Sequence, residues 1–155
     1  MKSKILGLLL LAVIVSTCSL TFAADTTTQT ITFEVQAVND ITVSGDPGPL
    51  AATATTPATD NTTTYSITTN DTNKKITGHL DTDMPANTTL EVNLSAPTGA
   101  TSAGNVSLSS IAADLVTGID SVNESGLAIA YTFSADAAAG IIATDTRTVT
   151  FTITN

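Results

Sequence analysis

The sequence predicts an all-β protein, an antiparallel immunoglobulin-like β-sandwich in a single domain, on three observations. Apolar residues recur at every second position in stretch after stretch, the pattern of a strand with one buried face. Runs of helical period are nearly absent, and the helix-friendly "SIAAD" and "ADAAAG" are too short to be more than turns. Clusters of Gly, Pro, Asn, Asp and Thr separate the alternating stretches at fairly regular intervals, as they do where two antiparallel sheets pack face to face. A closed barrel satisfies the same pattern, whereas a solenoid would need a fixed repeat period that the chain lacks.

The first element is a leader. "MKSKILGLLLLAVIVSTCSLTFA" has a basic start at Lys2 and Lys4, an apolar run from Ile5 to Val15 and a small-residue exit with Thr21 and Ala23 at the −3 and −1 positions. That is a secretory signal peptide. Its apolar run falls short of the roughly 20 residues that span a bilayer, and nothing later is apolar enough to try. Residues 1–23 are therefore read as a signal peptide and 24–155 as the β-sandwich domain, secreted or at the cell surface after cleavage near Ala23. Val15-Ser16-Thr17-Cys18 is similar to a lipobox, but Thr17 is bulkier than the small residue usually found before a lipidated cysteine, so ordinary cleavage is expected. The mature chain then has no cysteine and no disulfide, despite an oxidising destination.

Five basic against fourteen acidic side chains give a net charge of −9, and loss of Lys2 and Lys4 with the leader leaves three against fourteen, or −11. Such a surface repels phosphate backbones and anionic lipids, and aromatics at 4% offer little for bases to stack on. No nucleic acid is expected as a partner. With 42% hydrophobic and only 12% charged residues, the chain is not a disordered acidic tail. Threonine, serine and asparagine supply the polar surface instead.

Along the mature chain, "QTITFEVQAV" places Ile31, Phe33, Val35 and Ala37 on one face and Thr30, Thr32, Glu34 and Gln36 on the other, a half-buried strand. "ITVSG" repeats the pattern with Ile41 and Val43 before Gly45-Asp46-Pro47-Gly48-Pro49 forbids further pairing. "LAATATTPATDNTTT" reads as a long surface connection. "TYSIT" (Tyr65, Ile67) and "KKITGHL" (Ile76, Leu80), separated by the turn-like "TNDTN", are expected to form a hairpin. "TTLEVNLSAP" is the clearest internal strand, with Leu90, Val92 and Leu94 inward and Pro97 stopping it. "PTGATSAGN" is a loop leading to "VSLSS" (Val106, Leu108). "DLVTGI" and "LAIAYTFSA" follow, the second with Leu127, Ile129, Tyr131 and Phe133 on one face.

Groups that carry catalysis are scarce. His79 is the one histidine and points outward from a predicted strand, which is the place of a surface residue. There is no G-x-S-x-G elbow, no H-E-x-x-H and no phosphate-cradling glycine loop, and a paired-carboxylate glycosidase would want a cleft with aromatic platforms. No catalytic residue and no cofactor are assigned. "HLDTDMP" offers Asp81 and Asp83, and "TTNDTN" offers Asn70, Asp71 and Asn73, but neither has the ligand spacing and glycine of a calcium loop. They read as solvated turns with Asx hydrogen bonds, and no metal ligand is assigned. Glycosylation-type triplets at Asn61, Asn70, Asn87, Asn93, Asn105 and Asn123 follow from a threonine-rich composition.

The last strand, "TRTVTFTITN", alternates Val149, Phe151 and Ile153 with threonine and supplies core to the closing edge. Together with "YTFSA" and "SADAAAG" before it, "RTVTFTIT" resembles the closing segment of secreted bacterial β-sandwich subunits such as the spore-coat-U-type and related fimbrial pilins. The resemblance covers about the last thirty residues, and the cysteine pair common in such pilins is absent. It implies a subunit that lacks one strand and receives it from the N-terminal extension of the next copy. Ile31, Phe33 and Val35 are then the plugs of a candidate donor strand, and self-association by strand exchange is the expected partnership.

The threonine face, Thr146 to Thr154, suggests a further class, since flat threonine arrays match an ice lattice. One T-x-T strand is not an array, however, and threonine is favoured on any exposed strand face. The residues and the resemblance thus predict a secreted, non-enzymatic structural protein, a subunit or component of an extracellular or cell-surface fibre or assembly. The alternative is a monomeric surface-attached binding or adhesion module for a glycan or calcium, with ice binding a third reading.

Overall fold

The computed structural model describes residues 25–155, so the predicted signal peptide and Cys18 lie outside the described residues. The chain divides into two units, one ending at Glu34 and the other running from Val35 to Asn155. Residues 25–34 carry no helix or strand. The second unit holds nine strands and one short 3-10 turn, Ala137–Ala139, with no α-helix among the described residues. The strands are β1 (Asn39–Val43), β2 (Ala58–Thr69), β3 (Lys74–Leu80), β4 (Thr88–Leu94), β5 (Thr101–Ser102), β6 (Val106–Ser107), β7 (Ala113–Ile119), β8 (Val122–Ala135) and β9 (Val149–Thr154). Every pairing is antiparallel.

The strands form a five-stranded sheet in the order β1-β2-β8-β4-β6 and a four-stranded sheet in the order β5-β7-β3-β9. Of the sequence neighbours, β1 and β2 pair with each other, and every later connection carries the chain from one sheet to the other. This corrects the expected hairpin: β2 and β3 are joined by a short turn yet lie in different sheets, β2 against β8 and β3 against β7 and β9. Asn73 takes a positive φ of 55° in that turn, and its N–H donates to Asp120 at 2.6 Å. The side chain of another connection therefore holds the crossover, an interaction that turn composition does not reveal.

The half-buried strand expected over residues 30–37 does not form. Pairing begins at Asn39, and Ile31, Phe33 and Val35 are 75%, 89% and 84% exposed. Alternation states what a segment would bury once paired, but supplies no partner. Smaller differences have local causes. The expected connection over residues 50–64 gives its second half to β2, which starts directly after Pro57. The expected loop at "PTGATSAGN" contributes the two residues of β5, and "VSLSS" shortens to β6.

Inward positions of both sheets meet in one apolar cluster. β2 contributes Tyr65 and Ile67, β3 Ile76 and Leu80, β4 Leu90, Val92 and Leu94, β7 Leu115, Val116 and Ile119, and β8 Ile129 and Tyr131. On β7 two consecutive residues are buried because a bulge opposite β3 breaks the alternation: Ile76 faces Val116 while Thr77 faces Asp114. Gly78 sits at a close approach of side chains from both neighbouring strands. A Cβ there would lie 2.7 Å from Leu115 Cδ1 and 3.5 Å from Phe151 Cδ1, so glycine lets both side chains close over β3.

Candidate functional site

The structure leaves one side of the four-stranded sheet open. β9 hydrogen-bonds β3 along Val149 to Thr154, with Ile76 opposite Ile153, Gly78 opposite Phe151 and Leu80 opposite Val149. No strand pairs with its other edge among the described residues. β1 is likewise an edge strand, of the five-stranded sheet, and lies near β9. The two edges thus flank the same side of the domain.

The two ends of that side differ. At one, a polar clasp joins the sheets: Asn39 of β1 donates its Nδ2 to Asp71 Oδ2 at 3.0 Å, Lys74 of β3 lies 3.1 Å from the same oxygen, and Lys74 Nζ donates to Asn155 Oδ1 just beyond β9. At the other end the sheets part over a cleft of about 550 Å³. Its lining includes Leu90, Ile129, Tyr131 and Phe133 from the five-stranded sheet, Val149 and Phe151 from β9, and the Gly45–Leu50 loop. Loss of hydration pushes the Tyr131 phenol up to about 12, with Asp46 and Asp60 adding to the effect. Val149, Phe151 and Ile153 are half-buried and pack against the core cluster, while Thr150, Thr152 and Thr154 are exposed.

The Gly45–Leu50 loop and the start of β9 are each fixed by carboxylates. Asp60 accepts from the Gly48 N–H at 3.2 Å and from Thr62 through both backbone and hydroxyl, and the Thr62 bonds chiefly hold it below the usual carboxylate range. Arg147 donates to Asp145 at 2.7 Å and to the Asp83 carbonyl at 3.1 Å. Asp81 Oδ1 accepts from Thr82 and Thr148 N–H groups, and Asp83 Oδ1 from Ser110 N–H at 2.6 Å. The Ser110 bonds lower the Asp83 pKa. Of the turn carboxylates singled out in the sequence, Asp81 and Asp83 are thus engaged with backbone donors and Asp71 with the Asn39 and Lys74 side chains, and no group of three metal-ligating side chains occurs among the described residues.

The N-terminal segment leaves the β domain at a defined point. Asn70 Oδ1 accepts from Val38 N–H at 2.8 Å, Asn70 Nδ2 donates to the Gln36 carbonyl at 2.8 Å, and Asn70 N–H donates to the Val38 carbonyl at 3.3 Å. Val35 is the first residue outside this clamp. His79 is half-buried and lies opposite Thr150. On the outer face of β9, Thr152 meets Thr77, but Thr150 meets His79 and Thr154 meets Lys75, whose ammonium pairs with Asp114 at 3.0 Å. The threonine row therefore stands alone and does not extend into a lattice.

Sequence reasoning missed the clasp and the cleft. One signal for the clasp was present: Lys74 shares the inward parity of Ile76 and Leu80, an unusual place for a lysine unless its end finds partners. The cleft had none, since its walls come from segments far apart in the chain. Comparisons with protein-family models, with curated proteins and with solved structures find no match. No helix among the described residues is long and apolar enough to cross a membrane.

Proposed function

We propose that the chain is a secreted, non-enzymatic structural subunit of a pilin-like kind, in which the N-terminal segment of one copy completes the open side of the next. The fold is read as an immunoglobulin-like sandwich. In that architecture one sheet has the order A-B-E-D and the other C-F-G. β1, β2, β8 and β4 correspond to A, B, E and D, β3 and β9 to C and F, and β5 to β7 are additions. No described strand occupies the place beside β9 that G would take.

The observation that carries the proposal is that one chain holds both an unpaired edge flanked by an apolar cleft and a segment with the complementary pattern left in solvent. Ile31, Phe33 and Val35 recur every second residue, which matches the spacing of side chains along one strand face. Strand addition would supply backbone hydrogen bonds to β9 and bury these side chains. A fully buried side chain of this size contributes about 1.5 to 3 kcal/mol. An exposed edge beside exposed apolar side chains is otherwise an aggregation hazard, which a specific partner strand removes. The same arrangement accounts for a mature chain without disulfides, because each subunit is stabilised by its neighbour.

Negative-stain microscopy of the protein recovered after export tests this reading. The unaltered chain should form filaments, and Phe33→Asp should leave folded single subunits. Global unfolding of Phe33→Asp would instead place that segment in its own core. Dispersed single subunits of the unaltered chain over a wide concentration range would overturn the assembly reading and return attention to a binding module.

A further inference from the structure

We propose that the clasp at the closed end is a covalent modification site, at which Lys74 and Asn155 form an intramolecular isopeptide bond assisted by Asp71. The register of β3 and β9 brings the reactants together: Lys75 faces Thr154, so the preceding Lys74 meets the following Asn155. The Lys74 side chain is 13% exposed, which confines its amine to few positions. Its Nζ touches the Asn155 carboxamide oxygen and lies 3.1 Å from Asp71 Oδ2. Asn39 Nδ2 holds that carboxylate oxygen in place at 3.0 Å. An amine on β3, a carboxamide just beyond β9 and a carboxylate in the turn before β3 therefore meet.

The chemistry balances without any further reactant. Asp71 takes a proton from Lys74, and the neutral Nζ adds to Asn155 Cγ. The Cγ–Nδ2 bond then breaks as Nδ2 takes up the proton from Asp71 and a second proton that Nζ sheds, and it leaves as ammonium, while a Cγ–Nζ amide remains. Nothing is oxidised or reduced, and Asp71 ends as it began. Lys75 provides an internal contrast, since its Nζ pairs with Asp114 at 3.0 Å but meets no carboxamide. The bond would tie the end of β9, an edge strand held by one neighbour, to β3 and close a long loop of chain, which restricts the unfolded state as a disulfide does. It requires no second copy, so it stands or falls independently of strand exchange.

Mass spectrometry of the full chain recovered after export decides the matter. The intact protein should be lighter than its sequence by one ammonia, and the tryptic peptide beginning at Thr148 should carry a branch to the Lys74 peptide. Lys74→Arg, which keeps the positive charge, and Asn155→Ala should each lose the branch, and Asp71→Ala should leave most of the chain unlinked. Lys75→Arg should remain linked. The thermal midpoint of Lys74→Arg should fall below that of the unaltered protein. A C-terminal peptide found unbranched overturns the proposal, and so does loss of ammonia without the branch, which would place the reaction elsewhere.

Discussion

At the scale of single residues, two positions on inward strand faces are informative because neither carries an apolar side chain. Gly78 leaves space that Leu115 and Phe151 occupy from either side. Leu115 is buried and has little room to yield, so Gly78→Ala should destabilise the domain by about 1 to 3 kcal/mol, the usual cost of overpacking. Chemical denaturation would measure it. Thr63 on β2 is 4% exposed, and its hydroxyl has no hydrogen-bond partner. A valine of nearly the same shape removes that unsatisfied group, so Thr63→Val should stabilise the domain by about 1 kcal/mol. An unchanged or lower denaturation midpoint would contradict this. Both positions follow the alternation of their strands, so sequence shows which way they face. Why each residue is special depends on neighbours from distant parts of the chain.

At the scale of elements, β9 shows how far periodicity reaches. Its alternating burial follows the pattern of Val149, Phe151 and Ile153, yet its partner β3 and its open second edge are consequences of topology. The approach to β9 is held by carboxylates whose pKa values lie below the ordinary 3.8. Asp83 is lowered mainly by Ser110, and Asp145 mainly by Arg147. A carboxylate with a depressed folded pKa contributes stability that is present above its unfolded value and lost as pH falls through the folded one. The denaturation midpoint should therefore decline as pH falls through the ordinary carboxylate range and continue to decline below it. Asp83→Asn keeps an acceptor for Ser110 but removes the titration, so it should flatten part of that decline.

At the scale of the whole molecule, the closed and open ends of one side differ in chemistry. Asn39, Asp71, Lys74 and Asn155 bind the two sheets at one end, whereas at the other the cleft is lined by Leu90, Ile129, Phe133 and Phe151 with Asp46, Asp145 and Arg147 among its polar residues. A strand entering from the open end would meet the cleft first and the clasp last. In the proposed assembly the register should then depend on where the N-terminal segment leaves the β domain, which Asn70 fixes through Gln36 and Val38. Asn70→Ala should leave the β domain folded, because Asn70 is exposed and outside the core, while filaments become shorter or irregular. Filaments of unchanged length and regularity would show that the clamp has no part in positioning the donor.

The sequence by itself determined the all-β class, most strands and the inward face of each, because side-chain period and turn chemistry are local properties of the backbone. It also determined the acidic, threonine-rich surface and the scarcity of groups that carry catalysis. Tertiary structure alone decided that β2 and β3 separate into different sheets, that β9 keeps an open edge, and that Ile31, Phe33 and Val35 stay outside the sheets. Strand partnership depends on which edges remain after all the others have paired, a property of the whole chain. For the same reason the meeting of Lys74 with Asn155 required the fold: 80 residues lie between them in sequence, and one hydrogen-bonded register brings them together.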